Sequence, residues 1–454
     1  MLRFIQRLIL ALALIGGATK ASAFSMIGPF AVDDTGAVWQ VQRIGYLTIL
    51  GDIGGPMNLG EEYRWNIPTI IYGYDESFLN YFGQQGVNEI EKAIAILNAV
   101  PAASKMSADL REFPTDTRRF NQRASALGLL DLKTQALGLL VEELGLASPE
   151  RFVWTLRNRD VRGGITFYDV IKRNFDPVTL APSSYVNDTL YTYTIFDPIL
   201  PGPFADAVEI PVDPLASTYT AVASSAGLWG GFANYGEFYT GLTRDDMGGL
   251  RYLYRKNNYN IENLLPDAIA SGGAWSPIVV GVTNVIGTNT PLLRPGVEKL
   301  VFKRGKYDSL LGSFITQQVN YKQDYIVNNR RLTLGSSRIL NVPDVIFGAA
   351  DIAAVLGSPR GRRTDTGGWA DNDAINGQFT LSGPGVIQPQ IAIEFNKVGP
   401  LYQGNDSAAV FLTEPGGILF YIWGSFDGTT NAPVVYPIGT SIEELEAQVL
   451  NPSN

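Results

Sequence analysis

Two short carboxylate motifs are the natural place to look for chemistry in this chain. Asp34-Thr35-Gly36 and Asp365-Thr366-Gly367 each put an aspartate at the head of a tight turn. Two carboxylates that share one proton can activate water without help from imidazole or thiolate. That matters here, because the 454 residues include no His and no Cys. Their absence removes Ser-His-Asp triads, His general bases, thiolate nucleophiles, disulfides and every metal site built on imidazole or thiolate. Catalysis would have to rest on carboxylates, Lys, Tyr, Ser or an oxygen-bound metal. A third stretch, Asp371-Asn372-Asp373-Ala374-Ile375-Asn376-Gly377, begins as a calcium loop would. Such a loop needs an oxygen ligand at its fifth position, Gly at its sixth and Glu at its twelfth, where this chain has Ile375, Asn376 and Ser382. We read it as a polar turn.

The Asp-Thr-Gly tripeptide resembles that of aspartic peptidases, which set it after a hydrophobic strand and follow it with Ser, Thr or Ala. Here Asp33 precedes the first copy and Ala37 follows it, while Arg362-Arg363-Thr364 precedes the second and Gly368 follows. Asp and Gly are turn formers, and turns account for both copies. A glycosidase would need two carboxyl groups facing each other across a cleft, and nothing in the spacing of Asp and Glu nominates a pair. The sequence therefore assigns no catalytic, cofactor-binding or metal-ligating residue, and no cofactor.

Charge and composition narrow the field further. Lys and Arg total 35 against 44 Asp and Glu, a formal charge of -9, which argues against nucleic acid as a partner. Hydrophobic residues make up 45% and charged residues 17%, so large cores are available and disorder is not expected over most of the chain. Basic residues gather between Arg294 and Arg363, including Lys303-Arg304, Arg330-Arg331 and Arg362-Arg363. They could form a patch for an anionic partner or guard strand edges against aggregation. Aromatic side chains could stack carbohydrate, though core and cross-strand pairs are their usual use.

The elements that would position any site begin with a leader. Arg3 and Arg7 precede an apolar run from Leu8 to Ile15, and Ala21-Ser22-Ala23 offers small residues for cleavage. The run is shorter than the ~20 residues that span a bilayer, and no later run qualifies as a transmembrane helix. We expect a signal peptide over 1–23, a mature chain from near Phe24, and export to a bacterial surface, periplasm or medium.

The stretch Leu129 to Arg157 should organise the N-terminal half. Leu129, Leu132, Ala136, Leu140 and Leu144 recur at helical spacing, and Leu130, Leu137 and Val141 widen the apolar face until the helix must be buried. Gly145 and Pro149 should end it, with Arg151 to Leu156 leaving as a strand. Pro68 to Tyr74 reads as a strand before a helix through Val87, Ile90, Ile94 and Leu97, and Leu190 to Phe196 as a half-buried strand. Residues 197 to 240 read as long loops with room for a short hairpin. Thr243 and Asp246 have capping-box spacing at the head of a helix to Tyr254, which explains the Asp245-Asp246 pair without a site.

Length suggests two domains. Fold class is α+β, with an α+β domain around the buried helix at 24–265, a linker at 266–296, a β-rich sandwich-like domain at 297–440 and a C-terminal helix and tail at 441–454. Expected strands in the second part are Lys299 to Lys303, Tyr325 to Val327, Val342 to Phe347, Ile391 to Phe395, Ala409 to Thr413 and Leu419 to Trp423. Ser441 with Glu444 has capping-box spacing for the last helix.

The segments GEEYRWNIP (60–68), RPGVEKLVFKRGKYDSLLG (294–312) and WGSFDGTTNAPVVYP (423–437) resemble those of an uncharacterised family of exported bacterial proteins. The resemblance covers nearly all of the mature chain and implies export but no particular activity. More faintly, Leu144-Gly145-Leu146 with Ser148-Pro149, and Thr243 to Tyr254, are similar to the active-site and closing helices of matrixin-type metzincins. That family binds zinc through HExxHxxGxxH. Setting Gly145 on the motif glycine puts Gly138, Glu142 and Ser148 where its histidines belong and Leu139 in place of its catalytic Glu. The resemblance thus implies a scaffold without its zinc ligands or peptidase activity.

From these readings we expect a non-enzymatic exported binding or structural protein, with a protein or glycan partner at the cell surface or self-assembly. The alternative is a carboxylate-dependent secreted hydrolase, a glycosidase or an aspartic-type peptidase.

Overall fold

The computed structural model describes residues 23–26, 63–197, 205–225, 234–262, 268–270, 292–308, 312–327, 329–351, 361–365, 369–371, 385–397 and 422–450. The fold is α+β. Its largest sheet has five strands in the order Val301–Arg304, Thr69–Tyr74, Val345–Asp351, Ile391–Lys397 and Gly361–Asp365. The first four run parallel, and the last is antiparallel to its neighbour. Parallel strands need covered faces, and these carry near-continuous apolar runs such as Thr69-Ile-Ile-Tyr-Gly-Tyr74.

One face is covered by the long helix Glu76–Ala99, which Asp75 starts by accepting the N–H of Phe78. Gly83 kinks it at φ +57°; Phe78 and Phe82 before the kink, and Ile90, Ile94 and Leu97 after it, each keep helical spacing and are buried. Phe78 meets Phe347 at 6.4 Å and Phe82 meets Phe395 at 5.8 Å, so the aromatic rings bind helix to sheet.

The expected boundary does not separate two cores. Thr69–Tyr74 pairs on either side with strands from beyond residue 296, and one continuous core runs from Phe24 to Tyr436. Within the expected linker, Ala268–Ala270 pairs with 336–338 and Leu292–Pro295 with 259–262. Asp344 adds a buried cross-tie: it accepts the N–H of Ile71 at 2.8 Å and both guanidinium nitrogens of Arg338, at 3.2 and 2.6 Å. The expected strand Ala409 to Thr413 lies outside the described residues, as does much of the stretch a sandwich would draw on.

The organising helix is real but shorter than its hydrophobic period suggests. Leu129–Asp131 is a strand, parallel to Ile422–Ser425, and the helix spans Leu132–Glu143. The buried carboxylate of Asp131 sets the start, accepting the Thr134 N–H at 3.0 Å. Gly145, at φ +101°, ends it, with the carbonyl of Tyr63 filling the space a Cβ would need. Ser148 and Pro149 then nucleate a short helix, Pro149–Phe152, so the next strand begins at Thr155 rather than Arg151. The long pair Gln317–Val327 and Arg330–Leu340 was visible in sequence only at Tyr325 to Val327. The final helix, Ile442–Leu450, forms where its cap spacing put it, although the Glu444 side chain lies outside the described residues.

Candidate functional site

The carboxylates nearest to a constellation gather where the helix Arg244–Tyr254 begins. Thr243 and Asp246 make the capping box their spacing implied. Asp246 does more than cap: it also accepts the N–H groups of Val222 and Ala223 at 3.0 and 2.9 Å. Asp245 accepts the N–H of Ala23 at 2.9 Å and of Asn187 at 2.6 Å. Glu150 accepts the Thr220 N–H at 3.0 Å and the Ser224 hydroxyl, which lies 2.9 Å from the Ser148 hydroxyl.

All three carboxylates are at most 1% exposed, which leaves no face for a substrate. Burial pushes Glu150 up to about 7 and raises Asp246 as well. Their oxygens satisfy backbone N–H groups that burial would otherwise strand: Asp245 and Asp246 tie Ala23, the loop at Asn187 and the segment 220–224 to the helix Arg244–Tyr254, and Glu150 ties that segment to Pro149–Phe152. The geometry is that of a structural hub.

The positions named by the metzincin resemblance sit beside this hub. Gly138, Leu139 and Glu142 are buried in the central helix, and Ser148 serves as the cap described above. Among the described residues, no group of three or more Asp or Glu could hold a metal ion. Asp34 and the side chain of Asp365 lie outside the described residues, so the separation of that pair does too. Asp371 closes the strand Trp369–Asp371, and the rest of the calcium-like turn is likewise outside.

A different feature stands out on the surface. Thr155–Arg162 and Ile165–Ile171 form a two-stranded hairpin turned by Gly163 and Gly164, at φ +59° and +80°. Two central residues with positive φ give the turn whose twist suits a hairpin, and glycine adopts them without steric cost. Thr189–Phe196 and Asp206–Pro211 form a second antiparallel pair. The two pairs share a small core of Trp154, Leu156, Val170, Ile195, Ala205 and Ala207, separate from the main one. Asp197 links them outside it, meeting Arg159 at 2.8 Å and Tyr168 at 2.5 Å.

Both pairs expose large apolar side chains, on the first among charged cross-strand neighbours such as Arg162 and Asp160. Ile165 is 62% exposed and Phe167 52% on the first hairpin, with Val161 on its other face. On the second, Phe196 is 60% exposed and shares its face with Val208 and Ile210. The Gly163-Gly164 turn was a sequence signal for the first hairpin. The outward direction of Phe167 and Phe196 was not readable without the pairing register.

No described helix is long and apolar enough to cross a membrane. No family model, curated protein or solved structure matches the chain.

Proposed function

We propose that this chain is an exported, non-enzymatic binding and assembly protein that associates with further copies of itself through the hairpins at 155–211. The observation that carries this reading is the run of exposed apolar residues on the two hairpins, centred on Ile165, Phe167 and Phe196. Among the described residues, neither edge of the first hairpin carries a further strand. An open ribbon edge presents unpaired N–H and C=O groups, and two copies can satisfy each other symmetrically.

Export rests on the leader at 1–23 and on the resemblance to exported bacterial proteins. The acidic net charge supports leaving nucleic acid out. The three carboxylates of the hub give the hydrolase alternative no support, since Glu150, Asp245 and Asp246 are closed to solvent and engaged with backbone N–H groups. The purified chain is expected to turn over neither peptides nor glycans. Turnover that a single Asp or Glu substitution abolishes would overturn the non-enzymatic reading.

A further inference from the structure

We infer that the groove between the loop 295–298 and the strand pair 317–340 binds a small, multiply charged anion of the phosphate-ester class. The groove holds about 440 Å³ and is lined by Asn66, Lys256, Arg294, Lys322, Asp324 and Arg331, with further residues of the same loop and strands. That volume lies in the range of small-molecule sites. Its floor is firmly built. Gly296 packs against the backbone of Tyr254 and Arg255, and Glu298 donates its N–H to the carbonyl of Tyr254 at 2.7 Å.

The strand register gathers the charges. Asp324 faces Thr333 across the ladder and Ile326 faces Arg331, so Lys322, Asp324, Arg331 and Thr333 share one face. Asp324 offsets Arg331, with 3.8 Å from Nε to Oδ2, and also takes the Thr333 hydroxyl. Glu298 accepts the Ser104 N–H at 2.6 Å. Among the described residues, Lys256, Lys322 and Arg294 have no carboxylate within ion-pair distance.

Arg294 is the decisive member. It is 2% exposed; Nη2 donates to the carbonyl of Asn66 at 3.0 Å, and Nη1 has no hydrogen-bond partner. Beside it, Arg64 pairs with Glu262 at 2.5 Å and donates to the Arg294 carbonyl at 3.2 Å. Two buried guanidiniums thus share one carboxylate, and the ring of Tyr325, 5.4 Å from Arg294, compensates the surplus only in part. Buried charge without a counter-charge is unfavourable, and the groove brings Lys256 and Lys322 to the same place. The lining cations Lys256, Arg294, Lys322 and Arg331 outnumber its carboxylates Asp324 and Glu298 by two, a surplus that suits a dianion better than a single carboxylate.

The test is calorimetric titration of the full chain with inorganic pyrophosphate at fixed ionic strength. Lys322→Glu and Lys256→Glu alter exposed rim residues, so folding should survive, and circular dichroism checks that it does. The expected result is saturable binding that each rim variant weakens by about tenfold or more, while Lys303→Glu, outside the groove, leaves it unchanged. No binding up to millimolar pyrophosphate, or equal affinity in Lys322→Glu and Lys303→Glu, would overturn the proposal.

Discussion

The backbone N–H of Ala23 donates to Oδ1 of Asp245 across 2.9 Å, and both residues are fully buried. Oδ2 of the same carboxylate takes the Asn187 N–H at 2.6 Å. One side chain therefore holds the entering chain and a distant loop to the start of the closing helix.

Replacing it should be costly. In the unprocessed chain, Asp245→Ala strands two buried N–H groups, of Ala23 and Asn187, each worth about 1–3 kcal/mol when unpaired, so urea denaturation should show a loss of roughly 2–5 kcal/mol, and less once removal of 1–23 takes the Ala23 donor away. Asp245→Asn, which keeps one acceptor, should lose less. Equal stability for wild type and Asp245→Ala would contradict the role assigned to this hub.

Glu150 gives the hub a pH signature. Burial raises its carboxyl from an ordinary 4.5 to about 7, with the Ser224 hydroxyl acting in the opposite direction. The folded state then holds a proton that the unfolded chain has released. Stability from this group is fully present below about 4.5 and falls as pH rises towards about 7, by on the order of 3 kcal/mol. Glu150→Gln mimics the neutral form, so its denaturation midpoint should vary less between pH 5 and 8 than that of the wild type. Parallel pH profiles for the two proteins would refute this.

Gly145 supplies a backbone test. At φ +101°, with the Tyr63 carbonyl in the space where a Cβ would stand, it admits no side chain without displacement. Gly145→Ala should destabilise the protein by at least about 2 kcal/mol, measurable as a lower thermal midpoint. Gly163→Ala, with open space around the Cβ position, should suffer the φ penalty alone and lose less.

These residues show what the sequence could and could not reveal. Thr243 and Asp246 were legible because a capping box is local: four residues specify it. The helices through Leu97 and Leu140 were legible because their burial is periodic. The second acceptor duty of Asp246 was not, since Val222 and Ala223 arrive only through the fold. Nor was the domain plan, because Thr69–Tyr74 pairs with strands more than 200 residues away, and local pattern says nothing about such partners. The burial of Arg64 and Arg294 follows from Glu262 and Asn66 meeting them in space, which local pattern does not show. The hairpin turn at Gly163-Gly164 could be read; the outward apolar face of Phe196 needed the register with Val208 and Ile210.

The most direct test of the proposed assembly is light scattering of the processed chain over a range of concentrations, beside the triple variant Ile165→Thr, Phe167→Thr, Phe196→Thr. All three side chains are more than half exposed, so the variant should fold normally. Self-association through the hairpins predicts a mass that rises with concentration in the wild type and stays monomeric in the variant. A wild type that remains a monomer at every concentration, or a variant that assembles equally well, would contradict it.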